Sequence, residues 1–268
     1  MHKEYEIKQF KAILLDMDGV LYHGSKALPY AIEFMRKLKS IPHLFITNNP
    51  ILLPEEMVEK LSNMGFPEPK PEQIITSGIA TAEYLFAEKA DFSFYAIGAA
   101  GLHAALLRYG IESETDADYV VVGEGVGIDF ETLVIAINLV VDNNAKLIST
   151  NPDASVDAVC EGKSCILPGG GALVAPLSIA TGVEPITIGK PFPLLYEMAL
   201  ARLDVKATEC LMIGDRPDTD ILGAQQLGMS TALVRTGRFA IGEELPADIQ
   251  PTYDVGNLKE LAVVLGLQ

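Results

Sequence analysis

The chain has 268 residues, enough for one large domain or a pair, and its 49% hydrophobic and 21% charged composition is that of a globular protein. A net charge of −16 and a pI near 4.6 argue against nucleic-acid binding by phosphate neutralisation and against adsorption to anionic membranes, so an anionic substrate needs a local cation, either a metal or a specific lysine. Cys160, Cys165 and Cys210 are odd in number and lack ligand spacing, and they read as free buried thiols. No run of about 18 apolar residues occurs, the first apolar run is too short for a signal peptide, and the cytoplasm is the expected compartment.

Ala12-Ile13-Leu14-Leu15 is an apolar run of the kind buried on both faces of a parallel sheet, and it leads straight into Asp16-Met17-Asp18-Gly19. The C-terminal end of such a strand is where open α/β sheets bind ligands. Two acids placed there repel each other and lose hydration unless a cation or a reaction needs them. Residues 30–39 carry Ala31, Phe34, Met35 and Leu38 at helical spacing, up to the break at Pro42. His43-Leu44-Phe45-Ile46 is a second short strand, ending in Thr47-Asn48-Asn49-Pro50. Pro54 with Glu55 and Glu56 then starts a helix, because proline suits the first helical position and acids suit the positive dipole end.

The alternation continues with helices over residues 79–89, 101–109 and 130–142 and strands over 92–97, 119–122 and 146–148. Its loops are Gly123-Glu124-Gly125, Thr150-Asn151-Pro152-Asp153 and Pro168-Gly169-Gly170-Gly171. Residues 185–188 form a strand ending in Gly189-Lys190-Pro191, and a helix with Leu194, Leu195 and Met198 follows. Cys210-Leu211-Met212-Ile213 ends in Gly214-Asp215-Arg216-Pro217-Asp218-Thr219-Asp220, where a helix begins; a strand at 231–234 and a helix near 258–265 close the chain. Strands alternating with helices predict βαβ units, right-handed crossovers and a parallel sheet.

Four strand ends thus carry Asp16 and Asp18; Thr47, Asn48 and Asn49; Lys190; and Asp215 with Asp220. Each alone reads as a turn, a helix cap or a solvated side chain. Together they fall at βα turns that share a sheet edge and can converge. Asp16, Asp18 and Asp215 offer hard oxygen ligands that suit Mg²⁺. One carboxylate can attack phosphorus to form an aspartyl-phosphate, and the other can protonate the leaving oxygen and then deprotonate water. The Thr47 hydroxyl, backbone N–H groups and Lys190 can hold the phosphoryl oxygens. His23, His43 and His103 are isolated and read as structural or solvated.

This ordered set resembles the haloacid dehalogenase superfamily of phosphatases over nearly the whole chain, and in particular the branch of NagD-type nucleotide phosphatases and 4-nitrophenylphosphatases. The resemblance implies a Rossmann-like parallel-sheet core, residues 1–77 and 188–268, with an inserted α/β cap over 78–187. It also implies a Mg²⁺-dependent phosphomonoester hydrolase. Asp16 would be the nucleophile, and Asp18 the general acid/base with its backbone carbonyl on the metal. Asp215 would ligate the metal, Thr47, Asn48, Asn49 and Lys190 would hold phosphate, and Asp220 would stand behind the ligands. Pro50 and Ile51, where the branch commonly has small hydroxyl residues, and Gly123-Glu124-Gly125, where an aspartate often follows, depart from the pattern at the substrate end. The expected partner is a small phosphorylated metabolite such as a nucleoside monophosphate or a sugar phosphate, with a homodimer through the cap as a further expectation. An acid two residues after the nucleophile sets the chain apart from dehalogenases and phosphonatases. A phosphotransferase or phosphomutase is the alternative, with a phospho-accepting regulatory module behind it.

Overall fold

In the computed structural model, which describes residues 10–160 and 163–267, the opening apolar run is the strand Ala12–Leu15, buried at all four positions. It pairs in parallel with Cys210–Gly214 on one side and His43–Thr47 on the other. A strand hydrogen-bonded on both edges and covered on both faces has no place for a polar side chain, which is why the sequence there does not alternate. The six-stranded sheet runs in the order Tyr253–Val255, Ser230–Val234, Cys210–Gly214, Ala12–Leu15, His43–Thr47, Ile74–Thr76, as a doubly wound α/β sheet does.

A second sheet of five strands has the order Ile186–Thr187, Lys146–Ser149, Tyr119–Val122, Ser93–Ile97, Ile111–Glu112, all parallel. Its core joins Val120 and Val122 to Ala136 and Leu139 of the helix Phe130–Val141 and to Leu177 of the helix Gly170–Thr181. Helix starts follow from local chemistry. Asp129 accepts from the Thr132 N–H at 2.9 Å and Thr76 accepts from that of Ile79 at 3.2 Å, each satisfying a first-turn amide that has no partner within its helix.

By backbone contacts the chain divides into two compact units. The first comprises residues 1–47, 57–75 and 196–268, and the second 48–56 and 76–195. Asn48, Asn49 and Lys190 fall in the second of these units.

Three features depart from the sequence reading. The strand before Lys190, Ile186–Thr187, pairs with Lys146–Ser149 in the five-stranded sheet and so does not share a sheet edge with the strands before Asp16, Thr47 and Asp215. Pro168-Gly169-Gly170-Gly171, read as a loop, closes one strand and opens the helix Gly170–Thr181, so the glycines hide a helix start. Cys160 and Cys165, read as free buried thiols, form a disulfide. The antiparallel strands Ser155–Cys160 and Lys163–Pro168 place Cys165 opposite Ala158 and Cys160 opposite Lys163, with the two cysteine Cα atoms 5.8 Å apart. A separation of five residues is closed by a hairpin that the spacing alone did not reveal. Cys210 is free and buried as expected, and burial pushes its thiol up to about 12. Among the described residues, no helix is long and apolar enough to cross a membrane.

Candidate active site

The strands Ala12–Leu15 and Cys210–Gly214 lie side by side in register, so the residues that follow them, Asp16 and Asp215, emerge next to each other at the C-terminal edge of the sheet. Asp16, Asp215 and Asp220 are all buried, and one carboxylate oxygen from each lies within 4.8 Å of the others. Two unit charges at that distance repel by roughly 3–4 kcal/mol at an effective dielectric of about 20. Three such pairs form a site that favours a cation. The donors are all carboxylate oxygens, a hard set that fits Mg²⁺ better than a thiophilic metal.

Backbone geometry fixes this cluster. Gly19 has φ +81°, a left-handed conformation that costs a residue with a Cβ, and a Cβ there would meet Asp215 Oδ2 at 2.5 Å. Gly237 also approaches closely, and a Cβ on it would overlap the same carboxylate. Asp215 Oδ2 accepts from the Arg238 N–H at 2.9 Å, and Thr236 Oγ1 donates to the Gly19 carbonyl at 2.7 Å. Asp220 accepts from the Arg216 N–H at 3.1 Å, which ties its carboxylate to the loop that carries Asp215. The segment 236–238 was not singled out from sequence, because Gly237 and Arg238 act through the main chain and a lone Thr236 hydroxyl gives no pattern.

Asp18 behaves differently from Asp16. Asp16 is 8% exposed, whereas the Asp18 side chain is 57% exposed and its Oδ1 lies 3.5 Å from His23 Nδ1. Residues i and i+2 of a strand share a face, but the turn after Asp16 breaks that rule. Leu21 N–H and Tyr22 N–H both donate back to the Met17 carbonyl, and the Gly19 N–H donates to that of Tyr22. His23, read as isolated, is thus Asp18's neighbour. Two further groups were missed. Lys60 lies 3.9 Å over the Tyr22 ring, and Met57 Sδ is 4.0 Å from the Tyr22 hydroxyl. Met57 and Lys60 are three apart on the helix Pro54–Asn63, so a lysine in step with its apolar face was the available signal.

The titration shifts report the field of these acids. Burial, then Asp18 and Asp16, push the Tyr22 phenol far up. Burial, then Asp220 and Asp16, do the same to Tyr196, whose hydroxyl donates to the Thr219 carbonyl at 2.7 Å. Burial pulls the Lys60 ammonium down while Asp18 pulls it back up. Asp218, beside the cluster in sequence, is pushed up by burial but pulled down further by Arg216, which grips it through two hydrogen bonds of 3.1 and 2.7 Å.

Thr47 is buried at the end of the strand His43–Thr47 in the first unit. In the second unit, Asn48 is a structural hub. Its amide NH₂ donates to Asp153 Oδ2 and to the Lys190 carbonyl, both at 2.9 Å, and its amide oxygen accepts from the Lys190 N–H at 2.7 Å. Its own carbonyl accepts from Ser77 Oγ at 2.6 Å and Asn151 Nδ2 at 2.8 Å. Asn151 also donates to Glu124 Oε1 at 3.0 Å. The loops over 123–125 and 150–153 are thus drawn together around Asn48. Lys190 is 2% exposed and precedes a cis peptide bond to Pro191, and Asn49 Oδ1 accepts from the Ile51 N–H at 2.8 Å.

The chain is similar to known proteins over nearly its whole length. A haloacid dehalogenase-like hydrolase family model matches residues 13–112, and a HAD-hydrolase-like model matches 187–261. An acid sugar phosphatase of Staphylococcus aureus is 40% identical over 258 residues, covering 95% of this chain and 97% of its own length. The p-nitrophenyl phosphatase structure from Archaeoglobus fulgidus superposes with a TM-score of 0.87 at 28% identity, covering 96% of this chain and 100% of that one. NagD from Escherichia coli superposes with a TM-score of 0.83 at 28% identity, covering 94% of this chain and 98% of that one.

Proposed function

The chain belongs to the haloacid dehalogenase-like hydrolases and is a NagD-like phosphatase, and from that premise we propose that it hydrolyses a small phosphorylated metabolite through an aspartyl-phosphate on Asp16, with Mg²⁺ as cofactor. The observation that supports this most is the contrast between two acids separated by a single residue. Asp16 is buried in a cluster with Asp215 and Asp220, while Asp18 stands out of it. An Asp16 carboxylate oxygen attacks phosphorus, and the bond from phosphorus to the leaving oxygen breaks. Asp18, as the acid, gives its proton to that oxygen. Asp18, now the carboxylate, takes a proton from water as the water oxygen attacks the phosphoryl group, the bond to Asp16 breaks, and inorganic phosphate leaves. The Asp16, Asp215 and Asp220 carboxylates and the Asp18 backbone carbonyl are the groups that would hold or support the metal. When bound, it offsets the repulsion between an anionic nucleophile and an anionic phosphate. Thr47, Asn48, Asn49 and Lys190 are proposed to hold phosphoryl oxygens. Because the Asn48 amide is fully engaged, that residue would contribute its main chain.

A sugar phosphate is the first substrate class to test, given the name of the Staphylococcus aureus relative, with nucleoside monophosphates next. Phosphate release from 4-nitrophenyl phosphate and from a panel of these esters should require Mg²⁺, stop on chelation, and fall about 10³-fold or more in Asp16→Asn. Full activity in Asp16→Asn, with circular dichroism unchanged, would remove the nucleophile assignment.

A further inference from the structure

The first unit has a cavity of about 610 Å³ at the start of the strand His43–Thr47 and so away from the edge where Asp16 and Asp215 emerge. This volume is in the range of small-molecule pockets. Phe45 and Phe66 give it aromatic walls and Leu61 and Met35 add apolar surface, all four being buried. Arg36, Lys39 and Lys70 stand exposed around it against one acid, Glu68, in a chain whose net charge is −16. Among the described residues, none of these three cations has an ion-pair partner within 4.0 Å. Unpaired cations gathered at one apolar mouth, in a protein otherwise rich in acid, make a local anion-attracting field.

A polar edge completes the pocket. His43 Nδ1 lies 2.8 Å from the Ile41 carbonyl, which can only accept, so Nδ1 carries the proton. Gln73 Oε1 accepts from the Lys70 N–H at 3.1 Å, which turns its NH₂ toward His43 Nε2 at 3.2 Å. The imidazole is thereby held at an edge-on 73° to Phe45 with its ring centroid 5.7 Å away. A preset ring pair, an apolar floor and a cationic mouth are complementary to one kind of molecule.

We propose that this cavity binds a small aromatic anion, a planar ring bearing a phosphate or carboxylate group, as a ligand site separate from the Asp16 centre. The ring enters between Phe45 and Phe66, and its anionic group meets Arg36, Lys39 and Lys70. The chain contains no tryptophan, so a Phe66→Trp protein carries a single reporter in the cavity. The test titrates it with adenosine 5′-monophosphate in chelator, where turnover is stopped, and repeats the titration by calorimetry on the unsubstituted protein. Saturable binding is expected by both readouts. The combined Arg36→Ala, Lys39→Ala and Lys70→Ala substitution should weaken it about tenfold while leaving kcat/KM for 4-nitrophenyl phosphate unchanged. Adenosine and inorganic phosphate should each compete poorly. Absence of a saturable fluorescence change, equal affinity in the triple variant, or equal binding of inorganic phosphate alone would overturn the proposal.

Discussion

The two units are built on the same plan, parallel strands with helices between them, yet they place different chemistry at their strand ends. In the first, Ala12–Leu15 and Cys210–Gly214 deliver Asp16 and Asp215, and the carboxylates gather within 4.8 Å. In the second, Tyr119–Val122 and Lys146–Ser149 run just as parallel but lead into Glu124, Asn151 and Asp153, which hydrogen-bond among themselves and to Asn48. Here each acid is met by an amide: Asp153 accepts from Asn48 and Glu124 from Asn151. Architecture is therefore neutral about function here, and the residue types at the strand ends carry the difference.

This contrast can be broken most forcefully at Asp18. Asp18→Asn keeps the shape and removes the proton, so kcat should fall by ~10²–10⁴ while circular dichroism and the thermal midpoint stay put. A loss of only a few-fold would mean that proton transfer is handled elsewhere. Gly19→Ala is a smaller and different perturbation. Its φ of +81° and the approach to Asp215 predict a cost of ~1–2 kcal/mol, seen as a thermal midpoint lowered by roughly 2–4 °C, with a raised Mg²⁺ requirement. An unchanged midpoint would show that the turn can relax.

The smallest effect is expected at Asp118 in the second unit. Burial pushes its carboxyl up, but Lys89 at 2.7 Å and the Ser93 N–H and hydroxyl at 2.9 and 3.1 Å hold it below the usual aspartate range. A carboxylate depressed in the folded state stabilises above its unfolded pKa, and that contribution disappears as pH falls through the folded value. Asp118→Asn should therefore flatten the decline of the thermal midpoint below about pH 4, with hydrolysis of 4-nitrophenyl phosphate at neutral pH unaltered. If the rate at neutral pH changed instead, the separation of chemistry from the second unit's ionic contacts would fail.

Much of the site was legible because it is written as short apolar runs followed by acids or amides. The strand Tyr119–Val122 was read with its observed bounds, and the acids after Leu15 and Gly214 announced themselves by type and position. The missed features are those in which pairing or backbone does the work. The hairpin Ser155–Cys160 with Lys163–Pro168 lacks alternation and holds its disulfide across the ladder. Gly237 and Arg238 act on Asp215 through space and an N–H, which any residue type could supply. The cavity by His43 combines Arg36, Gln73 and Phe66, each unremarked in its own segment.

What the sequence determined by itself was the alternation of strand and helix and the identity of the groups at each strand end, because periodicity and turn chemistry are local. Tertiary structure decided which of those groups meet. Parallel register brought Asp215 beside Asp16, and an i,i+3 helix pair delivered Lys60 to Tyr22. It also divided Asp16 from Asp18 in exposure, since the turn between strand and glycine, closed by hydrogen bonds to Met17, turns two equal carboxylates into different environments. Such differences depend on packing across distant segments, and no single stretch of chain contains them.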